Sequence, residues 1–369
     1  MTLTVWFDLP SLYYLPQYQP VFEELQRRGH QCSLLIHDQA ANKPLTDRFC
    51  QTTSLPFQRC CPQEVNHFYR QKQPDWIIFG NAHEGKEQLA PNTQTALLYH
   101  GIGIKACYYD ANLTTFDVRF TEGPYRQQQL QALYPEANFV QTGFAKLDPL
   151  APTKPKYKDA FDLKKHGLDP YKPTLLYAPT FYPSSIECMP KNWPHRLNDC
   201  NIIIKPHLFS YTHKRYKKQR KLFQLWESHT NVYLAPPESL SLLPYMATAD
   251  LLISEASSAL FEFAALDKPV VWLDFLKLRW SYRGPLRFRF EKRMDQTIHA
   301  YREVAIHVKK PAHLNALVRE TLNNPEKHRQ QRLNTTQELI GQVDGLVSKR
   351  VCDWLEAKAG KLKLLPGHQ

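Results

Sequence analysis

Leu251-Leu252-Ile253-Ser254-Glu255-Ala256-Ser257-Ser258-Ala259-Leu260-Phe261-Glu262 is the stretch that decides the fold. Leu251 to Ser254 reads as a short strand, apolar on both faces, as helices on both sides of a parallel sheet require. Ser257 and Ser258 then stand at the first turn of a helix. Free backbone N–H groups and the helix dipole attract an anion there, and two hydroxyls add donors. An ordinary serine N-cap has the same signature. Glu262, one turn further on, is placed to accept hydrogen bonds from ribose hydroxyls.

Outward from this stretch the same strand-then-turn unit recurs. Thr174 to Ala178 exits into Pro179-Thr180, whose hydroxyl suits either a phosphate contact or a strand-end turn. Asn201 to Lys205 exits into Pro206-His207, where an imidazole beside Lys205 can donate to a phosphate oxygen. Asn231 to Leu234 and Val270 to Leu273 complete this half. Ahead of it, strands are expected at Thr4 to Asp8, Cys32 to His37, Asp75 to Gly80, Thr95 to Tyr99, Phe116 to Thr121 and Phe139 to Thr142. Helices are expected at Pro16 to Gly29 and Pro124 to Tyr134. Tyr99 leads into His100-Gly101-Ile102-Gly103-Ile104-Lys105. Histidine titrates near neutrality and suits general-base work on a hydroxyl, while Gly101 and Gly103 let the backbone approach a ligand. The alternative is a histidine satisfying a turn carbonyl, with Lys105 solvated.

Alternating strands and helices predict an α/β protein of two Rossmann-like domains facing a central cleft, with a helical C-terminal segment. The boundaries are 1–150, 160–325 and 326–369, and the Pro- and Lys-rich stretch Ala151 to Lys158 is the linker. Ligands of such sheets bind beyond the carboxyl ends of the strands, where His100, Thr180, Lys205, His207 and the serine pair fall.

Composition sets the outer limits. With 43% hydrophobic and 22% charged residues the chain is globular rather than disordered. No apolar stretch is long enough for a membrane span, and the first residues lack the pattern of a signal peptide. The eight cysteines are scattered without a CxxC pair, which reads as free thiols in a reducing cytoplasm. No metal-ligand spacing and no Asp-x-Asp occur, so neither a metal nor a cofactor is expected. The net charge of +12 asks for an anionic partner. Two basic clusters stand out: Lys214 to Lys221, and Arg279, Arg283, Arg287, Arg289, Lys292 and Arg293 with Trp280, Tyr282, Phe288 and Phe290 interleaved. Each could be a solvated face, an RNA-binding surface or a surface for anionic membranes or phosphopolymers.

Taken in order, several short motifs resemble the CDP-glycerol glycerophosphotransferase family of teichoic acid and capsule synthesis. They are His100-Gly101 with Lys105 behind, Thr142-Gly143 followed by Asp148, Leu176-Tyr177-Ala178-Pro179-Thr180, His207, Ser257-Ser258, Lys268-Pro269 and Tyr282-Arg283-Gly284. The resemblance spans roughly residues 95 to 285. It implies a GT-B-like fold in which His100 is the base, His207 the second active-site histidine, and Ser257 and Ser258 hold the donor pyrophosphate. Lys205, Thr180 and Arg283 are further phosphate candidates, and Glu262 takes the ribose. The implied reaction is attack of a hydroxyl on the donor's β-phosphorus with release of CMP. The implied partners are a nucleotide-activated donor, a glycan or lipid-linked acceptor and the inner face of an anionic membrane; nucleic acid is not expected. Two positions depart from the family's usual pattern: Glu255-Ala256 where Asp-Tyr is usual, and Leu208 where proline is usual. The competing expectations are a nucleotide-sugar glycosyltransferase, a nucleotide-sugar 2-epimerase (disfavoured because no acidic cluster marks the other strand ends), and a non-catalytic RNA- or membrane-surface-binding protein.

Overall fold

The computed structural model describes residues 2–39, 43–102, 106–154, 157, 159–291 and 296–364. The chain divides into two compact units.

In the first unit β1 (Thr4–Leu9), β2 (Gln31–His37), β3 (Phe57–Cys60), β4 (Trp76–Phe79), β5 (Gln94–Leu98), β6 (Val118–Thr121) and β7 (Phe139–Gln141) form one sheet. The order is β3-β2-β1-β4-β5-β6-β7 and every pair is parallel. The chain steps outward in both directions from β1, so the β1/β4 gap is a topological switch point. Helices α1 (Leu15–Arg27), α2 (Lys43–Thr52), α3 (Val65–Lys72) and α4 (Pro124–Leu133) connect the strands. On α1 the residues Tyr18, Val21, Phe22 and Leu25 recur at helical spacing and are fully buried.

In the second unit the strands are β8 (Thr174–Tyr177), β9 (Asn201–Ile204), β10 (Val232–Leu234), β11 (Leu251–Ser254), β12 (Val270–Leu273) and β13 (Ile306–Val308). Their order is β10-β9-β8-β11-β12-β13, again parallel throughout, with the switch between β8 and β11. The helices are α5 (Leu208–Thr212), α6 (Lys217–Glu227), α7 (Leu243–Thr248), α8 (Ser258–Ala264), α9 (Phe288–Glu291), α10 (Leu314–Asn323) and α11 (Arg329–Leu339). Tyr177, Trp193, Phe223 and Trp226 fill one face of this sheet. The last helix, α12 (Val347–Leu364), belongs to the first unit.

Residues up to Gln337 group with the second unit and those from Glu338 with the first, so the end set apart in sequence as 326–369 is shared between them. Asp148 explains how α12 is held. Its buried carboxylate accepts from Val347 N–H at 3.1 Å and Ser348 N–H at 2.7 Å, while Arg350 Nε donates to Thr142 O at 2.7 Å. Gly143, at φ +106°, leaves no room for a side chain, because a Cβ would stand 2.7 Å from Val347 Cγ2. Lys268 does similar work on α7: Nζ donates to the carbonyls of Met246, Ala247 and Ala249 at 2.8–3.0 Å. These motif residues therefore act on helix ends rather than on a ligand.

Four elements lay outside the sequence expectation. The stretch between β2 and β4, read as irregular, contains α2, β3 and α3, and a sixth strand, β13, follows β12. Both strands are sheet edges, where one side of the ladder faces outward and a short polar run such as Phe57-Gln58-Arg59-Cys60 gives no apolar signal. No helix among the described residues is long and apolar enough to cross a membrane.

Candidate active site

At the carboxyl edge of the first sheet, the apolar run of β5 delivers Tyr99 and then His100. The His100 ring is stacked on Tyr14 (centroids 4.3 Å apart, planes at 19°), with Tyr13 edge-on at 5.6 Å. Its Nδ1 lies 2.7 Å from the Gly80 carbonyl oxygen, which can only accept. Nδ1 therefore carries the ring proton, and Nε2 is the basic nitrogen of the neutral imidazole. The close approach depends on Gly80 itself. A Cβ there would stand 2.6 Å from Tyr18 Oη and 2.8 Å from Tyr14 Cδ2. Gly101 is buried beside Tyr108, whose hydroxyl would be 3.1 Å from an added Cβ. Gly103 and Lys105 lie outside the described residues.

In the second unit β9, β8 and β11 are neighbours, so their exits bring Lys205–His207, Thr180 and Glu255–Ser258 to one sheet edge. His207 sits at the N-cap of α5, and its Nδ1 accepts from Phe209 N–H at 3.1 Å. The proton is thus on Nε2, and His207 presents a donor where His100 presents a base. Lys205 is buried at the end of β9. Ser257 has extended N-cap dihedrals, and its hydroxyl lies 3.1 Å from Ser254 Oγ, whose own proton goes to Ala178 O at 2.8 Å. Ser258, half-buried, is the first residue of α8. Glu262 is 1% exposed, an enclosed carboxylate rather than a displayed one. The Thr180 hydroxyl donates to Pro183 O at 2.6 Å, so a phosphate contact through it would have to displace that bond. Arg283 is exposed, and its Nε braces a turn by donating to Leu278 O at 2.7 Å.

The residue that organises this edge is Glu255, which entered the sequence reading as a departure from the family pattern. It is 2% exposed, and its carboxylate accepts from Thr180 N–H at 2.8 Å, Ser185 N–H at 2.7 Å and Ser185 Oγ–H at 2.5 Å. Tyr177 Oη, 2.7 Å from Ser185 Oγ, completes the relay by donating to it. Burial holds the Glu255 carboxyl above its ordinary range, partly offset by the bonds from Ser185 and Thr180. The loop fixed in this way carries Phe181, 4.7 Å from the His207 ring, and Tyr182. The Arg279 guanidinium lies over the Tyr182 ring at 3.9 Å, and Tyr282 stacks on Tyr182 at 6.0 Å. Ser184 and Lys277 bridge the two loops, with Lys277 N–H donating to Ser184 O at 2.7 Å. A buried acid directly after an apolar strand was the available signal for Glu255; nothing in the sequence pointed from Arg279 to Tyr182.

The basic clusters are less uniform than their sequences. Lys214, Arg215, Lys217, Lys218 and Lys221 are exposed, but Arg220 Nη1 donates to the carbonyls of Ser210, Tyr211 and His213 and closes the end of α5. In the second cluster Arg279, Arg283, Arg287 and Arg289 are exposed beside Trp280, which is 83% exposed; Lys292 and Arg293 lie outside the described residues. Among the described residues no three His, Cys, Asp or Glu side chains are grouped as a metal site.

Two parallel α/β units with polar residues at the strand exits make a GT-B-like fold, and the family it matches makes it a transferase. The chain belongs to the family described as CDP-glycerol:poly(glycerophosphate) glycerophosphotransferase, which matches residues 79–356. No curated protein sequence is significantly similar to it. Among solved structures, the wall teichoic acid polymerase TagF is similar with a TM-score of 0.72 and 12% identity, over 98% of this chain and 90% of that one. A putative UDP-N-acetylglucosamine 2-epimerase from Listeria monocytogenes is similar at 0.68 and 12%, over 98% and 97%. The S. aureus MnaA–UDP structure is similar at 0.61 and 12%, over 100% and 99%. At these identities the likeness is one of fold.

Proposed function

We propose that this transferase moves glycerol phosphate, or a related polyol phosphate, from a CDP-activated donor to a hydroxyl of a sugar, polyol or lipid-linked glycan in the synthesis of a cell-envelope polymer such as teichoic acid. The observation that carries the reading is the opposite proton placement of His100 and His207. His100 Nε2 takes the proton of the acceptor hydroxyl as its oxygen attacks the β-phosphorus. The bond from that phosphorus to the CMP oxygen breaks, and CMP leaves with the electron pair. His207 Nε2–H donates to the phosphoryl oxygens as charge builds on them, aided by Lys205, Ser257, Ser258 and an arginine of the 279–283 loop. Glu262 is assigned the ribose hydroxyls, for which its enclosed carboxylate has to open towards the donor.

The reading is tested by CDP-glycerol titration and by CMP release with a glycerol-phosphate-terminated acceptor. His100→Asn keeps donor affinity and loses turnover, whereas His207→Asn loses affinity as well. Failure of CDP-glycerol to bind overturns the assignment. A response to UDP-sugars in its place establishes the nucleotide-sugar reading, which the fold likeness to the Listeria 2-epimerase and to the UDP-bound MnaA supports.

The proposed setting is the cytoplasm, which the eight free thiols support, with the exposed arginines around Trp280 resting on an anionic membrane surface. Release from membranes by a salt wash is the expected behaviour; retention at high salt overturns it.

A further inference from the structure

His100 is not the sole imidazole at the carboxyl edge of the first sheet. His37 ends β2, and its Nε2 lies 2.8 Å from Oδ1 of the buried Asp8 on β1. Tyr69 Oη donates to the same oxygen at 3.0 Å. His83, four residues beyond β4, places Nε2 2.7 Å from Asn66 Oδ1. The Asn66 amide nitrogen donates to Glu84 O at 3.1 Å, which fixes which end of the amide faces the histidine. Both imidazoles thus meet oxygens that accept, so the neutral form of each has its proton on Nε2 and its lone pair on Nδ1.

Neither Nδ1 is taken by a described residue, and neither is among the buried side-chain atoms that lack a partner; both therefore meet solvent. The strand register puts Asp8 beside Leu35 on β2, and Phe7 before it beside Ile78 on β4, so the exits carrying His37 and His83 lie on either side of β1 at the switch point. Asp8 and His37 both act on the charge of His83, as do Lys86 and Glu84. Burial is the largest influence and holds the His83 imidazole below its ordinary value, hence neutral at pH 7.

The buried Asp8 carboxylate between the two histidines repels a phosphate, whereas a hydroxyl presents a donor and finds two acceptor nitrogens. We propose that the β1, β2 and β4 end of the first sheet is a subsite for hydroxyls of the acceptor, with His37 Nδ1 and His83 Nδ1 accepting from them. The word acceptor rests on the transfer reaction proposed above; the hydroxyl chemistry does not.

The test is nitrogen NMR of the whole protein labelled with 15N-histidine, with His37→Gln and His83→Gln used to assign the signals. Glycerol and methyl glucoside are the probes, and inorganic phosphate is the control. The expected result is an unprotonated Nδ1 at both histidines, shifted by either diol and unmoved by phosphate, with each variant weakening diol binding about tenfold through loss of one hydrogen bond. A protonated Nδ1, or a response to phosphate without one to diols, overturns the proposal, and neither observation depends on how the variants fold. A CDP-glycerol titration of the unmutated protein separates the two readings. Donor binding with silent histidines sinks the subsite alone, and a diol response without donor binding sinks the transfer reaction alone.

Discussion

Replacing Glu255 by glutamine breaks the support under the donor-side loop without changing the size of the side chain. The carboxylate accepts from Thr180 N–H, Ser185 N–H and Ser185 Oγ–H, at 2.8, 2.7 and 2.5 Å. A glutamine amide has one accepting oxygen and one donating nitrogen, so either orientation turns a donor towards a buried backbone N–H. One unsatisfied buried donor costs about 1–3 kcal/mol, and loss of charge assistance on the remaining bonds brings the total to about 3 kcal/mol. At roughly 2–4 °C per kcal/mol for a domain of this size, the second unit should melt about 6–12 °C lower by scanning calorimetry. Phe181 and Tyr182 ride on the same loop, against His207 and Arg279, so turnover should fall about a hundredfold as they lose their placement. The pH dependence carries a further signature. Burial raises the folded carboxyl above its ordinary range, so the folded state holds the proton longer than the unfolded one. Stability therefore declines as pH rises from the ordinary glutamate range through the folded value, and the glutamine variant lacks that slope. Glu255→Asp, one methylene short, should fall between the two. A glutamine variant that melts with the wild type and turns over equally well would refute the reasoning.

Further outcomes follow from the same geometry. Asp148→Ala removes the side chain that accepts from Val347 and Ser348 N–H; a cap loss of about 1–2 kcal/mol should expose the 338–364 segment to limited proteolysis, while CDP-glycerol titration remains as in the wild type. Arg279→Ala should weaken CDP-glycerol binding more than Arg283→Ala, because Arg279 lies on Tyr182 beside the His207 loop, whereas Arg283 Nε braces its own turn; equal losses in calorimetric titration contradict this. Donor affinity should be unchanged by a chelator, since lysine, histidine and arginine supply the positive charge in the proposed reaction; loss of binding on adding EDTA, restored by a divalent cation, would refute it.

The fold was legible because both central sheets are built from strands apolar on both faces, such as Ile202-Ile203-Ile204 and Leu251-Leu252-Ile253, whose burial leaves no other reading. The edges were not. The β3 side chains Gln58 and Arg59 are exposed, and His307 sits at the centre of β13. The motif residues were found in order, yet order did not distinguish work on a ligand from work on the scaffold. Asp148 and Lys268 carry the same sequence signal as His207, and what separates them is what their polar atoms meet: the start of α12, the end of α7, and the N-cap of a five-residue helix. Glu255 was visible as an acid where the family shows another acid, but its partner Ser185 lies 70 positions away and gives no local pattern.

The two histidines show the physical limit of reading chemistry from sequence. Each follows an apolar parallel strand, each adjoins a residue that blocks or frees the backbone (Pro206 before His207, Gly101 after His100), and each is neutral or charged over the same pH range when unperturbed. Their chemistry diverges through a single backbone atom apiece. A carbonyl oxygen of Gly80 fixes the proton of His100 on Nδ1, and an amide proton of Phe209 fixes that of His207 on Nε2. Glycine at position 80 is required for the first because any Cβ collides with Tyr18 and Tyr14, and the extended conformation of residue 207 is required for the second because it directs Nδ1 back to α5. A base and a donor are thus made from the same side chain by packing alone. The same reasoning makes His37 and His83 acceptors, which is why the proton positions, rather than the residue types, separate a hydroxyl-binding edge from a phosphate-binding one.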